Sequence, residues 1–192
     1  MICTLRGMKV TSFEKCCKVE QQAWSALLPL LKEKAFDGRF VFTDKGRLSK
    51  LLQKIVGDAI FNDRKGTVWS IEVKAEKENK HGNFFLETWS NRKRYTPGWM
   101  FNCDADMLWY FFLDEMRLFA FYLPELKWWA FAKENGRGLA GRIWDFPAKR
   151  QSKYEQMNDT WGRCVPIAVI VEEVRHKAYD LTQPEDDDTV PF

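Results

Sequence analysis

The chain has 192 residues, 45% hydrophobic and 30% charged, with a formal net charge of +3, which is the composition of one folded domain with a full core. That charge is too small to prove a nucleic-acid partner, and the acidic run Glu185-Asp186-Asp187-Asp188 hides basic charge elsewhere. Five cysteines, an odd number without a C-x-x-C pair, exclude a disulfide framework or a zinc site and fit a reducing cytoplasm. No stretch is long and uncharged enough to span a bilayer, and the N-terminus lacks the apolar run of a signal peptide. Nine Trp and fifteen Phe predict a thick aromatic core with stacking surfaces.

In chain order, residues 1–10 read as a short strand or a loose start. Thr11-Ser12-Phe13-Glu14 is a capping-box pattern and opens a helix over about 12–34, bent near Pro29. Phe13, Cys17, Trp24, Leu27 and Leu31 form one apolar stripe at the helical period, with Glu20 in its middle. A carboxylate there either reaches water or a lysine from the edge of the core, or projects into a site. Residues 39–43 read as a strand, 44–47 as a turn and 48–56 as a helical turn. Arg47, Lys50 and Lys54 cluster here, either as a solvated face or as contacts to backbone phosphates.

Residues 57–76, GDAIFNDRKGTVWSIEVKAE, read as two strands joined by the tight turn Asn62-Asp63-Arg64-Lys65-Gly66. Glu72 and Lys74 are two apart in a β-branched, aromatic strand, so both leave one face while Ile71, Val73 and Ala75 leave the other. Charges on an interior strand are costly unless they pair or bind something. Asp58 opens the preceding strand and can lie beside them. One reading is a cross-strand ion pair on a solvated face. The other is a metal site. A converging Asp and Glu hold one Mg²⁺ (or Mn²⁺) through oxygens, and a lysine orients or deprotonates water and stabilises phosphate charge.

Asp58, Glu72 and Lys74 resemble the signature of the PD-(D/E)xK nuclease superfamily, with Gly57-Asp58 in place of Pro-Asp. The departure reads as mild, since the aspartate carries the chemistry. The stretch from VGDAIFND through IEVKAE to NFFLETWSN and GWM is also similar to uncharacterised bacteriophage proteins. The resemblance implies a restriction-endonuclease-like fold, a central mixed sheet flanked by helices. It also implies Asp58 and Glu72 as Mg²⁺ ligands, Lys74 as the hydrolytic lysine and Glu20 as a fourth member from the first helix.

Beyond the signature, 77–82 is a polar turn and 83–90, NFFLETWS, a third strand. Its Glu87 repeats the oddity of Glu72, as an outer metal ligand or a partner of Lys74. Arg92, Lys93 and Arg94 beside Tyr95 suit phosphate contact with stacking, or form a solvated loop. His81 and His176 are too far apart for a histidine metal site and read as surface residues. Pro97-Gly98-Trp99 is a turn, and the apolar runs 107–113 and 118–123 form a hairpin that extends the sheet, with Asp106 in a strand-initial role. Pro124-Glu125-Leu126 starts a helix carrying Trp129 and Ala130. GRGLAG at 136–141 lacks the phosphate-loop pattern and reads as a flexible basic loop with Arg137 and Arg142. Residues 145–164 read as a polar stretch, 165–174 as a last apolar strand or short helix, and 182–192 as an acidic disordered tail.

One α/β domain over 1–181 follows, a mixed sheet of five or more strands with the first helix on one face and the later helix on the other. The expected function is Mg²⁺-dependent DNA hydrolysis in a bacterial host cytoplasm by a phage-encoded nuclease that a homodimer would also allow. The alternative is a nuclease-fold protein that binds DNA, or a host defence or recombination complex, without cutting.

Overall fold

The computed structural model describes residues 12–43, 56–132, 141–151 and 159–182. Helix α1 (Ser12–Lys34) has Pro29 inside it and runs into strand β1 (Ala35–Phe42). Ala23, Leu27, Leu30 and Leu31 recur at helical spacing and are all buried. Trp24 packs edge-on against Phe42 with centroids 4.7 Å apart. Strands β2 (Ala59–Asp63) and β3 (Val68–Glu76) form the expected hairpin, in the register Ala59 to Ile71 and Phe61 to Trp69. Asp63 closes its turn by accepting from the backbone N–H of Lys65 and Thr67 and from Trp69 Nε1.

The chain then leaves the first sheet. Strand β4 (Asn83–Asn91), the two-residue β5 (Thr96–Pro97) and the short helix α2 (Trp99–Asn102) lie between β3 and strand β6 (Met107–Phe112). Strand β6 returns parallel to β3, and β7 (Arg117–Tyr122) pairs antiparallel with β6 as the second expected hairpin. Helix α3 (Leu123–Phe131) follows, with Leu126 and Ala130 buried. After a 3₁₀ turn at Arg142–Asp145 come β8 (Ala148–Arg150), β9 (Trp161–Pro166), helix α4 (Ile167–Glu173) and β10 (His176–Asp180).

These strands make two sheets rather than one. A six-stranded mixed sheet has the order β1-β2-β3-β6-β7-β10, and a four-stranded antiparallel sheet has the order β5-β4-β9-β8. Residues 145–164, read from sequence as a polar stretch, contain β8 and the start of β9. Residues 165–174 split between the end of β9 and α4, and β10 becomes an edge strand of the larger sheet. His176 is half-buried, with its ring 5.9 Å from Phe121, whereas His81 is exposed as expected. Residues 1–10, 48–55, 136–140 and the acidic run in 183–192 lie outside the described residues. No described helix is long and apolar enough to cross a membrane.

The larger sheet is buried on both faces, which fits the uninterrupted apolar run of β6. Ile71, Met107, Trp109 and Phe111 meet α1 on one face. Leu108, Tyr110, Phe112, Phe119 and Phe121 meet Phe84 and Leu86 of β4 on the other. Phe84 joins the two sheets, with ring centroids 4.8 Å from Tyr110, 5.2 Å from Phe119 and 5.5 Å from Phe121. Replacing it with alanine opens a cavity between the layers. We expect Phe84→Ala to cost about 3–5 kcal/mol in urea unfolding with little change in m.

Candidate active site

Strand β3 carries a polar row into the space between the layers. Ser70, Glu72, Lys74 and Glu76 alternate with the residues that meet α1, as the period of two requires. Asp106 anchors the row at one end through Oδ2, which accepts from Ser70 Oγ at 2.7 Å and Ser70 N–H at 2.9 Å. At the other end Tyr110 donates its hydroxyl proton to Glu76 and accepts from Phe85 N–H at 3.0 Å. Burial raises the Glu76 carboxyl above its ordinary range, although the Tyr110 hydrogen bond opposes the shift. In the middle Lys74 donates to Glu72 Oε1. Glu72 is 7% exposed, so this pair is not a solvated surface bridge.

Asp58 sits one step before β2, across from Glu72. Its N–H donates to Ile71 O at 2.7 Å and its Oδ2 accepts from Val73 N–H at 2.8 Å. Val73 lies between Glu72 and Lys74, so the backbone fastens the aspartate to the E-x-K segment. Thr43 adds two ties, from its hydroxyl to Gly57 O and from its N–H to Asp58 O at 3.0 Å. Gly57 makes the turn possible with φ of 77°, and a Cβ there would lie 2.5 Å from Ile71 O. Glycine in place of proline is therefore not a mild departure, because proline is locked near −65° and cannot take this conformation.

The charges are unbalanced, with one ammonium among four carboxylates. Asp58 is pushed up to about 6 by burial and then by Glu72, with Glu20 adding to the shift and Lys74 and Val73 N–H opposing it. For Lys74, burial works against the charge, but Glu72 and Asp58 outweigh it and Glu87 adds to them, so the ammonium is held above its ordinary range. Glu87 on β4 is raised by burial and by Glu72, while Lys74 and Trp99 N–H act the other way. Gly98 lets α2 press onto Glu87, since a Cβ there would meet Glu87 O at 2.4 Å. Lys74 Nζ also lies 5.8 Å from the Trp99 ring centroid. Glu20 is exposed rather than buried in the α1 stripe, and it faces the same cleft as Asp58.

That cleft has a volume of ≈ 970 Å³ and runs past Glu20, Asp58, Lys74 and Glu76 to the β3–β4 turn and β8. Glu20, Asp58 and Lys74 thus line one cleft, while Glu72 and Glu87 act on Lys74 without lining it. Arg47, Lys50 and Lys54 lie outside the described residues. Arg92, Lys93 and Arg94 are exposed on the β4–β5 turn, where Arg92 lies 4.9 Å over the Trp161 ring, and none of them lines the cleft. Arg142 is tied to Asp145 and Glu173, at 2.7 Å each. Sequence reasoning passed over Glu76, which the parity of Glu72 and Lys74 already places on their face. It also passed over Lys149 and Arg150, which no spacing marked.

As a donor set, Asp58 and Glu72 offer hard carboxylate oxygens of the kind Mg²⁺ or Mn²⁺ takes, and Asp58 is raised first by burial and then by the Glu72 charge, which a cation would offset. Among the described residues no three His, Cys, Asp or Glu side chains already stand together as a metal cluster. No family model, curated protein or solved structure matches this chain.

Two outcomes follow from this geometry. Asp58 titrates near 6 when folded against an ordinary 3.8, so the native state binds the extra proton between those values. Its contribution to stability therefore falls as pH rises from about 4 to about 6 and stays low above. Asp58→Asn keeps the acceptor for Val73 N–H and removes the charge. It should raise stability at pH 7.5 in EDTA by on the order of 1–3 kcal/mol, with the advantage gone at pH 4, in thermal melts at both pH values. Gly57→Ala should lower stability by on the order of 2–4 kcal/mol in urea unfolding, because both its φ and the Ile71 carbonyl oppose a side chain.

Proposed function

We propose that this protein is a Mg²⁺-dependent nuclease that hydrolyses DNA phosphodiesters. The observation that carries the reading is the backbone bond from Val73 N–H to Asp58, which sets an aspartate beside an E-x-K pair whose lysine lines the same cleft. The path of the chain supports it too. Helix α1, the antiparallel run β1-β2-β3 and the parallel return of β6 fit a restriction-endonuclease-like core, with β4 and β5 of the smaller sheet inserted between β3 and β6. The phage character suggested by sequence is part of the same proposal.

In this reading Asp58 and Glu72 hold the metal, with Glu20 and Glu87 in outer positions. When bound, Mg²⁺ supplies a water of lowered pKa and polarises the scissile phosphate. Lys74 holds a proton firmly, so its part is to place a fixed positive charge against the charge that develops on phosphorus oxygens. It is poorly suited to removing a proton from water, because its carboxylate neighbours stabilise the ammonium.

One observation favours a second reading. Lys74 already bonds Glu72, which satisfies that carboxylate without a metal. A protein of the same fold that binds DNA, or a host defence or recombination complex, without cutting fits that arrangement.

Linear, circular and branched DNA incubated with Mg²⁺ or Mn²⁺, with an EDTA control, separates the two. We expect metal-dependent cutting that falls at least about 100-fold in Glu72→Ala and Lys74→Ala. Cutting by either variant at the wild-type rate would sink the assignment. DNA binding with no cutting in any metal would select the second reading.

A further inference from the structure

The cleft has a second wall that the proposed chemistry does not use. It is built from the β3–β4 turn and from β8, the edge strand of the smaller sheet, and it carries Lys77, Lys80, Lys149 and Arg150. The turn is partly neutralised, because Glu78 stands 2.8 Å from Lys80 and 3.5 Å from Lys77. Lys149 is exposed and makes no ion pair among the described residues. Arg150 is held from behind, with Nε 2.8 Å from Asp159 Oδ1, and its side chain remains 24% exposed. That contact has the distance of an ion pair without the alignment of a hydrogen bond. Arg150 Nε and Nη2 are buried without a hydrogen-bond partner among the described residues.

Those two atoms are closed off from the cleft, so what Arg150 offers a ligand is the part of its side chain that stays exposed. A guanidinium donates to phosphate oxygens in a fixed geometry, and the neighbouring Lys149 ammonium, exposed and without an ion pair among the described residues, adds charge without one. Glu20 and Asp58 line the same cleft as these cations. We infer that Lys149 and Arg150 hold a backbone phosphate of a nucleic-acid strand while another phosphate of that strand lies beside Asp58 and Lys74 in the same cleft. This rests on the nuclease reading for the substrate class, but the two can fail separately. It also assigns the principal phosphate contacts to β8 rather than to the Arg92–Arg94 turn, which lies outside the cleft.

The test is fluorescence anisotropy of a labelled oligodeoxynucleotide, single-stranded and duplex, in Ca²⁺ across a salt series, with inorganic phosphate as competitor. Lys149→Glu is the main variant, because its exposed side chain makes no ion pair among the described residues. Arg150→Lys keeps the charge and removes the fork, and Lys65→Glu on the β2–β3 turn controls for net charge. Thermal melts confirm that each variant is folded. We expect affinity to fall about tenfold in Lys149→Glu, with a salt slope shallower by about one, and to stay within about twofold of wild type in Lys65→Glu. Arg150→Lys should weaken binding while leaving the salt slope in place. Wild-type binding in both β8 variants overturns the inference, as does loss confined to Arg92→Ala, Lys93→Ala and Arg94→Ala. Displacement by millimolar inorganic phosphate with no preference for DNA overturns it as well, because the wall is then a free-anion site. Binding that depends on β8 without any cutting leaves the phosphate wall standing and removes the nuclease reading. Cutting with unaffected β8 variants does the reverse.

Discussion

Strand β2 begins at Ala59, opposite Ile71, while β3 continues to Glu76. Among the described residues no strand pairs with that outer edge of β3 beyond Ile71, so its backbone groups need other partners. Asp58 is the first of these, taking the Val73 N–H with its side chain. The cleft lies along the same open edge, which explains how it touches residues from both faces of the sheet, Val73 and Ala75 on one and Lys74 and Glu76 on the other. A full-length β2 would close the edge and leave neither a carboxylate nor a groove there.

The polar row of β3 depends on what lies above it. Glu72 aligns with Leu108 and Lys74 with Tyr110 in the parallel pairing with β6, so the row is flanked by apolar or aromatic neighbours. The insertion between β3 and β6 covers it. Phe84 and Leu86 bring β4 onto the sheet, and Glu87, of the opposite parity on that strand, acts electrostatically on Lys74. The same insertion thus closes the core and adds a carboxylate to the site. Each charge in the row has a partner, yet burial and then the Glu72 charge still raise the Asp58 carboxyl.

Local pattern made part of this legible. The β2–β3 hairpin, the shared face of Glu72 and Lys74, the β6–β7 hairpin and the span of α1 each rest on periodicity or turn chemistry within one segment. The second sheet was hidden for a physical reason. Strand β8 has three residues, two of them cations, and β9 holds Gly162 and Arg163, so neither shows alternation. Their pairing is long-range, with β4 meeting β9 across some seventy positions, and no local rule reports it. Glu20 misled by its phase. Its spacing matches the apolar stripe, but the helix surface there turns toward the cleft rather than the sheet. Lys149 and Arg150 reach that cleft only because β9 carries β8 to it.

Gly57 shows why a short motif has to be judged by backbone state. A proline before the aspartate enters the strand with φ near −65°, whereas this chain turns at 77° and passes so close to Ile71 that no side chain fits. That turn brings the Asp58 N–H onto Ile71 O and its carboxylate onto Val73 N–H in one step. The aspartate is then fixed by hydrogen bonds to β3 itself, with Thr43 just after β1 holding the Gly57 and Asp58 carbonyls. Resemblance at the level of residue type and agreement at the level of geometry are therefore separate matters here. The chemistry available to the site follows from the second, because the position of the Asp58 oxygens is set by the glycine turn.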